Sequence, residues 1–334
     1  MLKDKLIYKI EDYINKNKEL RKIGIDGNYS INFLAQGEYN INYILKYGNK
    51  KYVFRVNTGS QLELKHQILY EFNALKRLKV SGVTPEVYYV DDSRKLLNYG
   101  ILIMEFLEGV PLNYKRDLEK AADIFGRIHS IDLTEDDEKI FIVEDKIFSS
   151  RVLESKKWLK DFMSSPLDIR EQKNFFYKFL QKAEDNSYRE KYFMDDKWHV
   201  INNTEVNSNN FIIGGKEYYL IDWEKPVISD PCQDLTQFLA KTTTLWKSSY
   251  LFSKEEINEF LTIYEGKLKN GKRDIKERVH LYKPYLYLRA LSWCAYAWIQ
   301  YKNPEKNIKN EDTLKKIEEY LSLDFLKNLE VNLW

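Results

Sequence analysis

Strand signals crowd into the first third of this chain, and helical signals fill the rest with a single interruption, which leaves few architectures open to it. The opening segment repeats Leu6, Ile10, Tyr13 and Ile14 on one face of a charged helix that ends before Gly24. Three strands are predicted between Ser30 and Val56, namely INFLAQ, NINYILKY and KKYVFRV, the last two joined at Gly48 and Asn49. A helix follows over 62–78, where Leu64, Ile68, Phe72 and Leu75 recur at helical intervals, and two further strands fit EVYYVDD and YGILIMEFL. Beyond Gly109 the pattern predicts helices over 117–130, 150–163, 171–184, 234–247, 254–268 and 281–301, with Ser253 and Glu256 forming a capping box. The interruption lies at 199–224, where NFII and YYLIDW flank Gly214 and Gly215 and read as a small hairpin among helices. The expected class is α+β, with an N-terminal sheet lobe over 1–107 that includes a leading helix at 1–22. A larger helical lobe over 108–334 follows a hinge near Met104 to Gly109.

A length of 334 residues suits two lobes rather than one core. With 43% hydrophobic and 31% charged residues and no run of 18 apolar ones, the composition is that of a soluble protein, not a membrane protein. The first twenty residues mix acids and bases at helical spacing, unlike a secretory signal, so a cytoplasmic location is expected. Cys232 and Cys294 stand far apart without metal-site spacing and are expected to be buried thiols. The formal charge of +2, with lysines and acids interleaved, gives no stripe for a nucleic-acid backbone. The 15% aromatic content, including Tyr287, Trp293, Tyr296 and Trp298 in one helix, is expected mainly in core packing, although some of these rings suit an acceptor pocket.

Three clusters have the spacing that phosphate transfer requires. Gly37 lies between two strands, where a glycine lets the backbone approach a phosphate; alone, it is an ordinary turn. Arg55 alternates with Tyr52, Phe54 and Val56 and so faces away from them, while Glu71 is mid-helix; together they can hold nucleotide phosphates, and separately they are a surface arginine and a surface glutamate. The most specific string is NTEVNSNNFII followed, after the hairpin, by YLIDWEKPVISDPCQDL. Asn210 opens that hairpin and Asp222 closes it, so strand pairing brings an amide oxygen and a carboxylate to one end, as a hard divalent cation requires. Glu205 precedes Asn210 by five residues and reaches the same region.

This string resembles the catalytic and metal-binding loops of the aminoglycoside phosphotransferase and choline kinase superfamily, whose pattern is His-x-Asp-x-x-x-x-Asn, then Ile-Asp-Trp/Phe-Glu, then a later Asp-Leu. Asn203, Glu205 and Asn210 stand in the first set of places, and Asp222, Trp223, Glu224 and Asp234 in the second. Gly37, Asn40, Arg55, Glu71, LIMEFLEG and the IHSID of His129 fall upstream in the family's order, and the resemblance spans residues 30–300. It implies a two-lobed protein kinase-like fold and an ATP-dependent phosphotransferase acting on a hydroxyl of a small molecule: an aminoglycoside, a choline-like amino alcohol, a sugar or a related metabolite. Position by position, it implies phosphate binding by Gly37 and Arg55 with Glu71 in support, adenine contacts from Glu105, Phe106 and Leu107, Mg²⁺ on Asn210 and Asp222, Glu205 as the base, and Asp234 as a structural brace. Two places depart from the pattern, Asn203 for His and Glu205 for Asp. Those departures admit an alternative, a nucleotide-binding pseudokinase with a regulatory role.

Overall fold

The structure, a computed structural model, describes residues 2–60, 62–269, 274–302, 311–330 and 333. The chain divides into two compact units, one made of Met1–Ile142 with Asn203–Val227 and the other of Val143–Asn202 with Ile228–Trp334.

The first unit is built on an antiparallel sheet of β1 (Tyr29–Gln36), β2 (Asn40–Tyr47), β3 (Lys50–Asn57), β4 (Val87–Asp91) and β5 (Gly100–Glu105), in the order β1-β2-β3-β5-β4. Alternation decides what each face carries. Ile41, Tyr43 and Leu45 of β2, Tyr52, Phe54 and Val56 of β3, and Ile101 and Ile103 of β5 share one core cluster with Leu6, Ile10, Tyr13 and Ile14 of α1 (Leu2–Lys16). That cluster also seals a polar contact. The Tyr13 hydroxyl donates to Asp91 Oδ2 at 2.9 Å, and Asn17 Nδ2 donates to the Tyr13 and Tyr89 hydroxyls at 2.8 Å each. A 3₁₀ turn, Lys18–Ile23, follows α1 and ends at Gly24, whose φ of 82° is cheap only for glycine.

The other face of the sheet presents Arg55 and Leu102, which pair in register, and α2 (Gln67–Leu78) supplies Ile68 and Glu71. The helix predicted to begin at Leu62 begins at Gln67 instead. Glu63 takes a φ of 56°, outside the helical region, and the chain turns over 62–66 with the Leu64 N–H donated to Ser60 Oγ at 3.0 Å, so the helix starts only after it. After β5, the short β6 (Val110–Pro111) adds to the small hairpin of Phe211–Ile213 and Tyr218–Leu220. Gly109 permits that approach, because a Cβ there would stand 2.7 Å from Ile212 Cγ2 and 2.8 Å from the Ile213 carbonyl. The amphipathic α3 (Leu118–His129) buries Ala121, Ala122, Ile124, Phe125 and Ile128.

In the second unit, the long helix Ile275–Lys302 packs along Ile147–Ser164, with Phe148 stacked on Tyr285 at a centroid distance of 3.8 Å. Arg278, wholly buried, pairs with Asp230 and, at 2.5 Å, with Asp196, and the rings of Tyr192, Phe193 and Trp198 lie within 5.6 Å of its guanidinium. The helix predicted over 234–247 is two, Cys232–Leu239 and Lys241–Lys247, broken where Ala240 is extended and the Lys241 N–H donates to the Tyr287 hydroxyl at 2.9 Å. Both cysteines are buried and free. Tyr287 is core, Trp293 packs on Trp246 and Trp298 on Phe162, whereas Tyr296 is exposed. No helix among the described residues is long and apolar enough to cross a membrane.

The crowding at Gly109 is testable. Gly109→Ala is expected to destabilise the protein by about 1–3 kcal/mol, the usual cost of overpacking, whereas Gly215→Ala, with nothing within 4 Å, stays within about 0.5 kcal/mol of wild type in urea denaturation.

Candidate active site

Everything that positions the site is local to the first unit. The β2–β3 register sets Asn42 opposite Arg55, and Asn42 Oδ1 accepts from Arg55 Nε at 3.0 Å. Arg55 Nη1 pairs with Glu71 from α2 and reaches Asp222 Oδ1 at 3.3 Å. Burial works against the arginine's charge, but Glu71 and Asp222 outweigh it and hold its pKa above the ordinary value. Glu71 is 1% exposed, and its Oε2 is buried with no hydrogen-bond partner.

Asp222 is delivered by the hairpin. The Ile221 N–H donates to the Asn210 carbonyl at 2.8 Å, one step beyond the paired strands, so Asn210 and Asp222 sit together at the hairpin's open end as their spacing predicts. Trp223, wholly buried, donates its indole N–H to the Leu220 carbonyl at 2.8 Å and anchors the return. Asn210 Nδ2 donates to the Glu205 carbonyl at 2.6 Å, which turns the amide so that its oxygen is not the atom bound to the loop.

Asn203 braces the loop. Its Nδ2 donates to the carbonyls of Ile221 and Asp222 at 3.3 Å each, and its Oδ1 accepts the Glu205 N–H at 2.9 Å. An amide can do this because it carries both donor and acceptor. Thr204, next to it, adopts a φ of 64°, as does Asp222. Left-handed backbone is costly for a β-branched residue, on the order of 1–3 kcal/mol, and the Thr204 hydroxyl bond to the Lys225 carbonyl at 2.9 Å helps hold it.

Asn40 and Lys225 complete the cluster. Asn40 Nδ2 donates to Glu224 Oε2 at 2.5 Å and Asn40 Oδ1 accepts from Asn57 at 2.9 Å, while Lys225 forms an ion pair with Glu205. Gly37 lies in the turn ahead of Asn40, its N–H bonded to the Asn40 carbonyl at 2.9 Å. Glu105, Phe106 and Leu107 are not part of this cluster. Glu105 ends β5 three residues beyond Leu102, the partner of Arg55, and so lies about 10 Å along the strand at about 3.3 Å per residue. Its N–H is taken by the Glu86 carbonyl at 2.8 Å. Asp234 is in the second unit, wholly buried, its N–H directed to Asn202 Oδ1 at 3.4 Å.

Sequence reasoning passed over Asn42 and Lys225. The first had a signal, since Asn40 and Asn42 alternate with Ile41 and Tyr43 as Arg55 alternates with Phe54. The second had only its place after Glu224. Among the described residues no group of three or more His, Cys, Asp or Glu forms a complete metal cage.

Glu71, Glu205, Asp222 and Glu224 are gathered around Arg55 and Lys225, so among the described residues of the cluster carboxylates outnumber cations. Burial, then repulsion from Glu205 and Glu71, raises the Asp222 carboxyl to about 6 against the pull of Arg55, although 29% of its side chain stays accessible. Burial, then Asp222 and Glu205, raises Glu224 to about 8. Acids with raised folded-state pKa values bind protons more tightly folded than unfolded, so the stability they contribute is present at low pH and lost as pH rises through those values. Denaturation midpoints of the nucleotide-free protein should therefore fall from about pH 5 to about pH 9, and Glu224→Gln should gain on wild type across that range. Parallel pH profiles for the two proteins would contradict this assignment.

The model of the phosphotransferase enzyme family matches residues 30–265. A comparison with curated proteins finds no match. Among solved structures, a spectinomycin phosphotransferase in complex with ADP and spectinomycin is similar over 94% of this chain and 96% of its own, at 15% identity and a TM-score of 0.66. A choline/ethanolamine kinase family protein from Mesorhizobium loti is similar over 99% and 98%, at 17% identity and a TM-score of 0.60. An ethanolamine kinase from Plasmodium vivax is similar over 94% and 86%, at 14% identity and a TM-score of 0.59. These likenesses bear out the expected fold class, α+β and two-lobed in the protein kinase-like manner. The family match covers most of the chain and contains Arg55, Glu71, Glu205, Asn210 and Asp222, and the chain belongs to the phosphotransferase enzyme family.

Proposed function

We propose that this protein is an ATP-dependent phosphotransferase that moves the γ-phosphoryl group to a hydroxyl of a small molecule. The observation that carries the reading is the buried Arg55, tied to Glu71 and Asp222, beside a loop whose Asn210 and Glu205 are bonded to each other. In this reading Arg55 binds the phosphates and Glu71 fixes its guanidinium. Gly37 lets the turn come close to them, and the main chain of Glu105 to Leu107 meets the adenine, about a nucleotide's half-length from Arg55 along β5. The lobes expected at 1–107 and 108–334 supply the nucleotide and acceptor sides.

The donor set fits Mg²⁺. An amide oxygen and a carboxylate are a sparse protein contribution, which is what this cation accepts when phosphates and water complete its octahedron. Burial and, after it, the neighbouring carboxylates raise Asp222 and Glu224, and a divalent cation would offset that cost. Asn210 and Asp222 would hold the ion, which when bound neutralises charge on the transferring phosphoryl oxygens.

Glu205 orients the acceptor hydroxyl and takes its proton. The hydroxyl oxygen forms the new bond to the γ-phosphorus, the bond to the β–γ bridging oxygen breaks, and ADP leaves with that electron pair. Acceptors of the aminoglycoside, amino alcohol and sugar classes suit this chemistry; relatives of the same fold include enzymes named for spectinomycin and ethanolamine.

The test is ADP release with Mg²⁺ across a panel of hydroxylated amines and sugars, with product identified by mass. Glu205→Gln should lower kcat by about 10²–10⁴-fold with ATP affinity retained, and Asp222→Asn should abolish the Mg²⁺ dependence of ATP binding. Mg²⁺-dependent ATP binding with no acceptor turned over would overturn the transferase reading in favour of a nucleotide-binding regulator.

A further inference from the structure

The proposed reaction gives Lys225 no task, although it is paired with the proposed base. Its side chain is 7% accessible, against 26% for the Glu205 side chain it pairs with. Lysine is almost never so buried unless paired. Its main chain is fixed from both directions. The Thr204 hydroxyl donates to the Lys225 carbonyl at 2.9 Å, while α2 holds the neighbouring residues through Gln67 Nε2 to the Glu224 carbonyl at 2.7 Å and the Tyr70 hydroxyl to the Pro226 carbonyl. The ammonium is thus a placed charge rather than a mobile one.

The pair engages Glu205 Oε1. Glu205 carries one methylene more than the aspartate of the family pattern, hence one more torsion to order. It also shares its surroundings with Asp222, whose charge repels its own. A free glutamate side chain there would swing away from it. We propose that Lys225 is a positioning residue that tethers Oε1 of Glu205 and so presents Oε2 to the acceptor hydroxyl, which is how a glutamate works in an aspartate's place. The inference rests on the phosphotransferase reading for its kinetic consequences, but the tether itself is a structural claim.

The tether predicts coupling between the two residues. Lys225→Met should lower kcat by on the order of 10²-fold, the cost of misplacing a reacting group by about 1 Å, while ATP affinity and acceptor KM hold. Lys225→Arg should recover part of that loss. In a Glu205→Gln background, Lys225→Met should cost nothing further, because the group it positions is gone. Glu205→Asp gives an independent check in a fully folded site. Although it restores the family's residue, the carboxylate stays drawn to Lys225 one methylene short of the acceptor, so kcat falls. A rise in kcat for Glu205→Asp, or an equal loss from Lys225→Met with and without the Glu205 carboxylate, would overturn the proposal. Crystal structures of wild type and Lys225→Met with a non-hydrolysable ATP analogue separate this claim from the reading beneath it. If no acceptor is ever turned over, the transferase reading fails, yet a Glu205 side chain that moves in Lys225→Met still upholds the tether, and one that stays in place sinks it.

Discussion

Three stretches of chain that share no sequence neighbourhood meet at the guanidinium of Arg55. β3 supplies the arginine, α2 supplies Glu71, and the return of the 211–220 hairpin supplies Asp222. Taking these charges out of water costs several kcal/mol per ion, and only mutual pairing and further hydrogen bonds repay it. The planar fork is suited to that task. Nε reaches Asn42 while Nη1 serves both carboxylates, a division that a lysine ammonium, as a compact point charge, makes poorly. Removing either Arg55 or Glu71 strands the other in a buried position, so the orientation of α2 on the sheet and the setting of the hairpin depend on the same interaction.

The loop before the hairpin is organised by a different principle. Residues 203–210 form little regular structure, and Thr204 and Asp222 both hold left-handed backbone, which a β-branched threonine disfavours. Side-chain bonds over-determine that geometry. Asn203 alone ties the Glu205 N–H to the carbonyls of Ile221 and Asp222, and Asn210 closes back onto the Glu205 carbonyl. Strain that persists under such cross-bracing is characteristic of segments that must present particular atoms. In the proposed reading, the atoms presented are the carboxylates of Glu205 and Asp222 and the amide oxygen of Asn210.

Much of this was legible in the sequence, for identifiable reasons. The sheet strands alternate cleanly, so the side of β3 on which Arg55 lies followed from Phe54 and Val56. The hairpin followed from two short apolar runs about Gly214 and Gly215, and with it the meeting of Asn210 and Asp222. The start of α2 was misread because Leu64 fits the helical repeat, and repeat alone cannot register that Glu63 takes a left-handed φ of 56° that no α-helix contains. The break at Ala240 is of the same kind, since its partner Tyr287 is 46 residues distant from Lys241. Lys225 escaped notice because burial is a tertiary property. A lysine after an acidic string reads as solvent-exposed until the fold encloses it.

The replacement of aspartate by glutamate at 205 looks, in sequence, like a loss of fit. In the folded chain it belongs to a set of compensating features. Asn203 keeps the loop braced without a histidine, and Lys225 meets a side chain long enough to reach it. An aspartate on the same backbone, one methylene shorter, would have to choose between that cation and whatever lies on the other side. The remaining imbalance is electrostatic. Among the described residues of the cluster, four carboxylates stand against Arg55 and Lys225, and burial pushes protons onto Asp222 and Glu224 as long as nothing else offsets them. A cluster so arranged is stabilised by added positive charge and opposes its absence, so in the proposed reading cation binding is part of the energetics of the site rather than an addition to a finished one.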